Sequence, residues 1–496
     1  MDIPKEVQSV VSLLEKKGFE AYIVGGCVRD LLLAREPEDW DVATQAKPEE
    51  IQALFPDNFY ENKFFTVTVQ TQSNNPKLKE IEVTTFRSDM KYGDRRHPEE
   101  VQYAKTIEED LARRDFTINA MALGKPGFLR KPGFQIVDPF GGQKDLQAKL
   151  IRAVGDANER FQEDALRMMR GVRFVATLPA GQAGLGFKLE EKTSKAIEKN
   201  SALLKEISQE RIRDEFVKTI MGQRAAEGIE KLRELKLLQH IIPELLEGWN
   251  VTQNKHHIYN VWEHNLHSLE YAIAKGWGLR VRLAVLLHDV GKPRTKRGEG
   301  PDATFYNHEV EGAKMTRRIL SRLKFSREDI ERISDLVRYH MFYYNVGEVT
   351  ESSVRRLLSK IGPENMEELL QVRMADRIGS GVPKAQPYKL RHLRYIIDKV
   401  SQDPISAKML KLNGDNVMEL LKISPGPKVG WVLTILLAEV LDDPAKNTKE
   451  FLESRAKELH TLSDKELKEL SLKAKQEKGE VETERDDATK QKYYVS

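Results

Sequence analysis

The sequence predicts an α+β protein, with a small mixed β-sheet head followed by a mostly α-helical neck, a metal-binding helical domain and a helical tail. Three observations carry that reading. Short β-branched runs, AYIVGG, FFTVTVQT and KEIEVTTF, dominate up to about residue 90, with helical stretches between them. After about residue 145 the strand signal nearly vanishes, and apolar residues recur at helical spacing in FQEDALRMMRGVRFVATL, ISQERIRDEFVKTIM and VRLAVLLHDVG. The chain has 496 residues, enough apolar material for three or four cores.

Composition narrows the function classes. Charged residues make up 32% but the formal net charge is only +3, so a nucleic-acid partner must be met by a local basic face. A single cysteine, Cys27, excludes an internal disulfide framework and a Cys-rich zinc site, which fits a reducing compartment. MDIPKEVQSV lacks an apolar signal core, and no stretch approaches the roughly 20 apolar residues that span a bilayer. These features predict a soluble, cytoplasmic protein with no membrane partner. The sequence contains no internal repeat and does not fix an oligomeric state.

The first element, AYIVGG, reads as a strand ending in a glycine turn, and VRDLLLA then starts a helix. Backbone N–H groups and a helix N-terminus thus face whatever lies on the turn, which suits an anion. Gly25 and Gly26 allow close backbone approach, and Arg29 adds a fork of donors suited to phosphate. Alone, this pattern also fits a plain strand-turn-helix. What distinguishes it is EDWDVAT. In a strand, residues i and i+2 share a face, so Asp39 and Asp41 point one way while Trp40 and Val42 turn toward the core. Two adjacent carboxylates repel unless a cation lies between them. Oxygen donors of this kind suit Mg²⁺, with substrate phosphates as further ligands. Beside a phosphate-type turn they form a candidate two-metal site for nucleotidyl transfer.

These residues resemble the head of the DNA polymerase β-like nucleotidyltransferases, in particular the bacterial tRNA nucleotidyltransferase and poly(A) polymerase family. The resemblance continues through TFRSDMKYGDRRHPEEVQYAKTIEEDLARRDFTINAMA, which is similar to the family's flexible loop and RRDFT motif. EDALRMMRGVRF resembles its EDxxR nucleotide-selecting motif, and ISQERIRDEF its next helix. Together these motifs cover about residues 20 to 220. The resemblance implies nucleotide contacts at Arg114, Arg170 and Arg173, and a place near the ribose for Asp115. Structural ion pairing is the alternative for these side chains. Asp110 reads either as a third carboxylate or as a helix cap or ion-pair partner.

Asp164 and Arg167 stand three apart on a predicted helix, so they present an acceptor beside a donor on one face. Cytosine and adenine each offer an amino donor next to a ring-nitrogen acceptor, whereas uracil and guanine offer a carbonyl next to a ring N–H. The pair therefore matches C and A, and the wrong base leaves buried groups unpaired. An exposed surface ion pair is the other reading of this spacing. Relatives that add only the two cytidines lack the flexible loop, which FRSDMKYGDRRHP supplies here. The resemblance therefore implies addition of all three residues, CCA, to the 3′ end of tRNA from CTP and ATP, with an A-adding enzyme or poly(A) polymerase as the alternative.

A second chemical centre follows. VRLAVLLHDVGKP is an apolar helix ending in His288 and Asp289, an adjacent pair that is costly to bury unless both groups bind something. His257 and His264 lie seven apart, two helical turns on one face, and His308, His340 and Asp376 follow downstream. This donor set suits one or two divalent transition-metal ions. It resembles the HD phosphohydrolase superfamily, whose pattern maps onto His264, His288, Asp289 and Asp376, with His257, His308 and His340 as additional ligands or phosphate binders. The resemblance implies hydrolysis of phosphomonoesters or 2′,3′-cyclic phosphates at RNA ends. A phosphatase or phosphodiesterase with an inactive nucleotide-binding head is the alternative from another class.

The predicted domains are a head over 1–145, a nucleotide-selecting and RNA-binding neck over 146–250, an HD domain over 251–400 and a tail over 401–496. Basic stretches at ERIRDEFVKTIMGQR and KMLKLNGDNVMELLKISPGPKVG are candidates to track tRNA phosphates. Charged helix faces are usually just solvated. GKPGFLRKPG and LPAGQAGLG read as loops or small hairpins. From about residue 464 the chain turns to Lys, Glu, Asp and Gln, which predicts either a solvated helix or disorder.

Overall fold

The computed structural model describes residues 3–61, 65–92, 98–124, 135–180, 184–254, 257–342, 351–381, 388–401 and 410–493. The expected GKPGFLRKPG loop lies outside the described residues apart from its first glycine, as do the centres of LPAGQAGLG and of FRSDMKYGDRRHP.

Helix α1 (Lys5–Lys16) buries Val7, Val10, Val11 and Leu14, the i, i+3, i+4, i+7 face that its sequence encodes. The head then alternates β1 (Ala21–Val24), α2 (Gly26–Leu32), β2 (Asp41–Thr44), α3 (Pro48–Leu54), β3 (Asn58–Glu61), β4 (Thr66–Gln70) and β5 (Glu80–Thr85). A hairpin of β6 (Arg87–Tyr92) and β7 (Pro98–Tyr103) leads to α4 (Ile107–Ala112), β8 (Ala122–Gly124), β9 (Gln135–Val137) and α5 (Gly142–Ala148). Seven strands form one mixed sheet in the order β3-β4-β5-β2-β1-β8-β9. β2 runs antiparallel to β1, with Asp41 opposite Val24, and parallel to β5, with Asp41 opposite Glu82. Ile23, Val42 and Val83 on these three central strands are fully buried, so the pleat that carries the acidic side chains is pinned from its other face.

Beyond the head, among the described residues, strand is confined to two dipeptides, β10 (Leu150–Ile151) and β11 (Lys188–Leu189). The helices are α6 (Ala157–Glu163), α7 (Leu166–Thr177), α8 (Glu191–Asn200), α9 (Gln209–Met221), α10 (Ala225–Glu234), α11 (Leu238–Ile241) and α12 (Pro243–Leu246). Helix α7 packs against α9 and α10, and a Cβ on Gly222 would lie 2.5 Å from the Ala176 carbonyl oxygen, so only glycine admits this approach. Next come α13 (Val261–Ala274), α14 (Leu279–Leu287), α15 (Lys292–Thr295), α16 (His308–Arg322), α17 (Arg327–Tyr339), α18 (Glu351–Ile361) and α19 (Met366–Gly379). Arg282, on the otherwise apolar α14, is buried. It donates to the carbonyls of Ile220 at 3.0 Å, Gly222 at 3.3 Å and Trp277 at 2.8 Å, which satisfies the C-terminal end of α9.

The chain divides into two compact units. The first comprises 1–340 and 371–382, so the chain departs after His340 and returns with the segment carrying Asp376. The second comprises 341–370 and 383–496 and contains α20 (Tyr388–Ser401), α21 (Gly414–Leu421), α22 (Pro427–Asp442), α23 (Lys449–His460) and α24 (Asp464–Tyr493). Leu412, Val417, Val432, Leu436, Leu452 and Leu467 build its core. Of the two readings of the polar C-terminal stretch, the structure adopts the helix, over Asp464–Tyr493.

Candidate active site and metal centre

Gly25 turns the chain out of β1 with φ 82°, a conformation that favours glycine. Its absent Cβ leaves room for Arg114 Nη1, which would be 2.6 Å away, and for Asp41 Oδ2 at 3.4 Å. The bend is thus packed directly against a cation and a carboxylate. Cys27, just inside α2, lies beneath it with Sγ 3.1 Å from the Val24 carbonyl, and burial, reinforced by Asp41, pushes its thiol up to about 12. The described strand begins at Asp41, and Asp39 stands in the bend before it. Pairing nevertheless reaches one residue further, since Glu82 N–H donates to the Trp40 carbonyl at 3.1 Å. The alternation therefore extends to Asp39: Trp40 is buried, while Asp39, Asp41 and Glu82 line one cavity.

That cavity, about 1150 Å³, exceeds the roughly 300–1,000 Å³ usual for a small-molecule site. Its walls also hold Gly26, Arg29, Arg114, Asp115, Asp164, Arg167, Arg170 and Arg173. Burial pushes the Asp41 carboxyl up to about 7, with Arg114 pulling it down and Asp39 and Glu82 pushing it up. A carboxyl so placed favours a proton or a cation at neutral pH.

Glu82 is a member that sequence reasoning missed. Its signal, the alternation in EIEV, is shared by any half-exposed strand, and only the parallel pairing with β2 brings it to Asp41. Asp110 resolves to the ion-pair reading: it is buried, with Arg113 at 3.0 Å and Arg114 at 3.3 Å, and these guanidiniums outweigh burial and hold its carboxyl below the usual range.

The structure revises the expected Asp164–Arg167 pair. Asp164 does not lie on one continuous helix with Arg167, because it ends α6 with extended backbone and its Oδ1 accepts the Leu166 N–H at 3.0 Å, which starts α7. Aspartate favours that capping position, so the helix breaks where the spacing rule assumed continuity. Asp164 Oδ2 accepts from Arg211 at 2.8 Å, while Arg167 bonds Glu163 at 2.6 Å and the carbonyls of Arg160 and Arg113. Asp115 is buried and accepts from Arg170 at 2.7 Å, from Asn119 at 3.0 Å and from its neighbour's N–H at 2.8 Å, which together hold its carboxyl well below the usual range despite burial. Arg173 lies 3.2 Å from buried Glu215, and Arg29 donates to Asp30 and Asn119. Arg211 and Arg213, two of the basic residues expected to track RNA, bond protein acceptors instead.

The second centre gathers six of the seven expected donors into one cluster. His264, His288, Asp289 and His340 are almost fully buried, and His308 and Asp376 nearly so. Nε2 of His264 lies 3.0 Å from Nε2 of His288 and 3.3 Å from both Asp289 Oδ2 and Asp376 Oδ1. The seventh, His257, does not share a helix face with His264 as the spacing predicted, because α13 begins only at Val261 after the Asn260 cap; its ring instead packs edge-on against that of His264 with centroids 4.8 Å apart. Nδ1 of His288, His308 and His340 each donates to the carbonyl three residues earlier, at 2.7, 2.8 and 2.7 Å, which fixes the ring and turns Nε2 toward the other donors of the cluster. Burial opposes a charged His288, yet Asp289 and Asp376 hold its proton up to about 10, whereas burial drives His257 and His340 down to about 3. The buried carboxylates and ring nitrogens of this cluster form a donor set that can hold a divalent metal.

Lys292, which sequence reasoning also missed, ion-pairs with Asp289 Oδ2 at 2.6 Å and donates to Gln253 at 2.6 Å. Its signal is a lysine three residues past the His-Asp pair, one helical turn on. Gly291 permits the pair's close packing, since a Cβ there would lie 2.3 Å from the His308 carbonyl oxygen.

Comparison with known proteins gives three domain matches in order along the chain. The family described as the Poly A polymerase head domain matches residues 21–152, the probable RNA and SrmB-binding site of polymerase A matches 186–248, and the HD domain matches 261–379. A CCA-adding enzyme of Bacillus cytotoxicus is 45% identical over 237 residues, 48% of this chain and 55% of that protein, so the chain matches about half the length of this curated relative. The crystal structure of the Bacillus stearothermophilus CCA-adding enzyme in complex with CTP superimposes with a TM-score of 0.59 at 29% identity, over 92% of this chain and 98% of that one. An apo CCA-adding enzyme at 20% identity shares the fold, with a TM-score of 0.53 over 91% of this chain and 96% of its own. Among the described residues, no helix is long and apolar enough to cross a membrane. Head, RNA-binding segment and HD domain thus follow one another along one sequence, and the chain is similar to CCA-adding enzymes in sequence over about half its length and in fold over most of it.

Proposed function

We propose that this protein adds CCA to the 3′ end of tRNA, using CTP and ATP without a template. The observation that carries the reading is the single cavity in which Asp39, Asp41 and Glu82 face Arg29, Arg114, Arg170 and Arg173, with Asp164 on the same wall. The RNA 3′-hydroxyl attacks the nucleotide's α-phosphate and pyrophosphate leaves. Mg²⁺ held by Asp39 and Asp41 would supply Lewis-acid activation of that hydroxyl and neutralise the leaving charge. The chain's own residues supply the rest. Arg114 abuts the glycine bend and, with the arginines of α7, offers cationic partners to a triphosphate. Asp164 has about four acceptor sites, and Arg211 and the Leu166 N–H occupy two, so it retains capacity to take the amino hydrogen of C or A. Arg167, fixed by Glu163, is the matching donor.

The HD centre is the second activity under this reading, a phosphohydrolase acting on RNA ends with a divalent transition metal. The one cysteine, buried and protonated, suits a cytoplasmic protein.

The test is incorporation of labelled CTP and ATP into tRNA lacking its terminal CCA. Two cytidines and one adenosine are expected, and long A tails would overturn the proposal in favour of poly(A) synthesis. The Asp39→Ala, Asp41→Ala double variant is expected to lose incorporation while keeping ring-opening hydrolysis of 2′,3′-cyclic nucleotides to phosphomonoesters. Incorporation surviving in that variant would remove both aspartates from the active site.

A further inference from the structure

The pair formed by Asp164 and Arg167 leaves one choice unmade. Cytosine and adenine both set an amino donor beside a ring-nitrogen acceptor, so an acceptor next to a donor suits either base. The two bases differ on the far side of the amino group. There adenine carries a second acceptor, N7, whereas cytosine carries only a C–H. A donor beyond Asp164, on the side away from Arg167, therefore tells A from C.

Arg211 stands in that place. It reaches the cavity from α9, whereas Arg167 reaches it from α7, and both line it together with Asp164. The Asp164 carboxylate is divided between the two helices. Its Oδ1 accepts the Leu166 N–H at the start of α7, at 3.0 Å, and its Oδ2 accepts from Arg211 Nη2 at 2.8 Å. The Arg211 side chain is 29% exposed, so a group in the cavity can reach it. Apart from the bond to Asp164, its N–H groups have no acceptor among the described residues, and Nη1 is buried without a partner. An unpaired buried donor is costly, and an acceptor brought by a ligand relieves that cost. Arg211, Asp164 and Arg167 thus present donor, acceptor and donor, the complement of adenine's N7, amino group and N1.

We infer, resting on the CCA-adding reading of this cavity, that Arg211 is a specificity residue: it donates to N7 of ATP while Asp164 accepts from the amino group. With CTP the same guanidinium faces a C–H and keeps only its bond to Asp164. The contact therefore favours A over C, a distinction that the Asp164 and Arg167 pair does not make.

The probe is 7-deaza-ATP, in which a C–H replaces N7. With the full-length chain, Mg²⁺ and tRNA ending in CC, kcat/KM for A addition is expected to fall roughly 10-fold from ATP to 7-deaza-ATP, the size of one hydrogen bond from a charged donor. Arg211→Met should use the two nucleotides equally, and Arg211→Lys, which keeps a donor, should retain part of the preference, with folding of both checked by circular dichroism. Equal use of ATP and 7-deaza-ATP by the wild-type protein, or an undiminished preference in folded Arg211→Met, would overturn this role of Arg211 and leave CCA addition standing. Failure to incorporate ATP at all would instead overturn CCA addition, and the role of Arg211 with it.

Discussion

Asp41 shares its end of the cavity with Asp39 and Glu82, and its titration reports the tension among them. A carboxyl raised from 3.8 to about 7 keeps in the folded state a proton that the unfolded chain has lost, so this group's contribution to stability falls as pH rises through that window. Asp41→Asn should therefore raise the metal-free protein's stability at pH 8 by roughly 1–4 kcal/mol, and the gain should vanish below about pH 4. Urea titrations in chelator at the two pH values measure it, and an equal gain at both would refute the electrostatic cause. Mg²⁺ affinity should weaken as pH drops below about 7, since the ion competes with that proton. The paired aspartates and the glycine bend were legible in the sequence because both depend on neighbours within a few residues. Glu82 was not, because the partner that gives it meaning lies 41 positions away across a parallel strand pair.

At the scale of elements, the break between α6 and α7 sets the placement of the two residues proposed to choose the base. The i, i+3 rule placed Asp164 and Arg167 on one face, but Asp164 starts the second helix instead of riding on the first. Its role as cap and as partner of Arg211 joins the proposed selectivity to the local fold. Asp164→Ala is expected to lose about 0.5–2 kcal/mol of stability through the lost cap. It should also relax discrimination against UTP and GTP by roughly 10- to 100-fold. Single-turnover incorporation of each nucleotide separates the two effects, and unchanged discrimination would leave the residue only a capping role. Gly291 shows a different kind of legibility: its place after the His-Asp pair was visible as a helix stop, whereas the backbone contact that requires it comes from α16. Gly291→Ala is expected to cost about 1–3 kcal/mol, because the atoms it meets are main chain and cannot rotate away. Thermal melts should show that loss together with reduced metal retention by the HD cluster.

Across the whole molecule, the neck and the helix that delivers His288 and Asp289 are joined through Arg282. An arginine in LRVRLAVLL is anomalous by composition, but two of its three acceptors, the Ile220 and Gly222 carbonyls, lie 62 and 60 residues away, so those partners were not legible along the chain. Arg282→Met would keep much of the side chain's bulk and strand three buried carbonyls. At roughly 1–3 kcal/mol for each unpaired group, a loss of about 3 kcal/mol or more is expected, read as a lower denaturant midpoint. The change from a strand-bearing head to helices after about residue 145 followed from hydrophobic period, because that signal is local to each segment. The return of 371–382 to the first unit did not, since it depends on where the chain goes after His340.

The lone thiol under the glycine bend gives the protein an internal clock. Cys27 is protonated and sealed from reagents in the native state, so a maleimide can reach it only when β1 and α2 separate. Its labelling rate therefore measures how often the glycine bend comes apart, and the same seal keeps this thiol from peroxide.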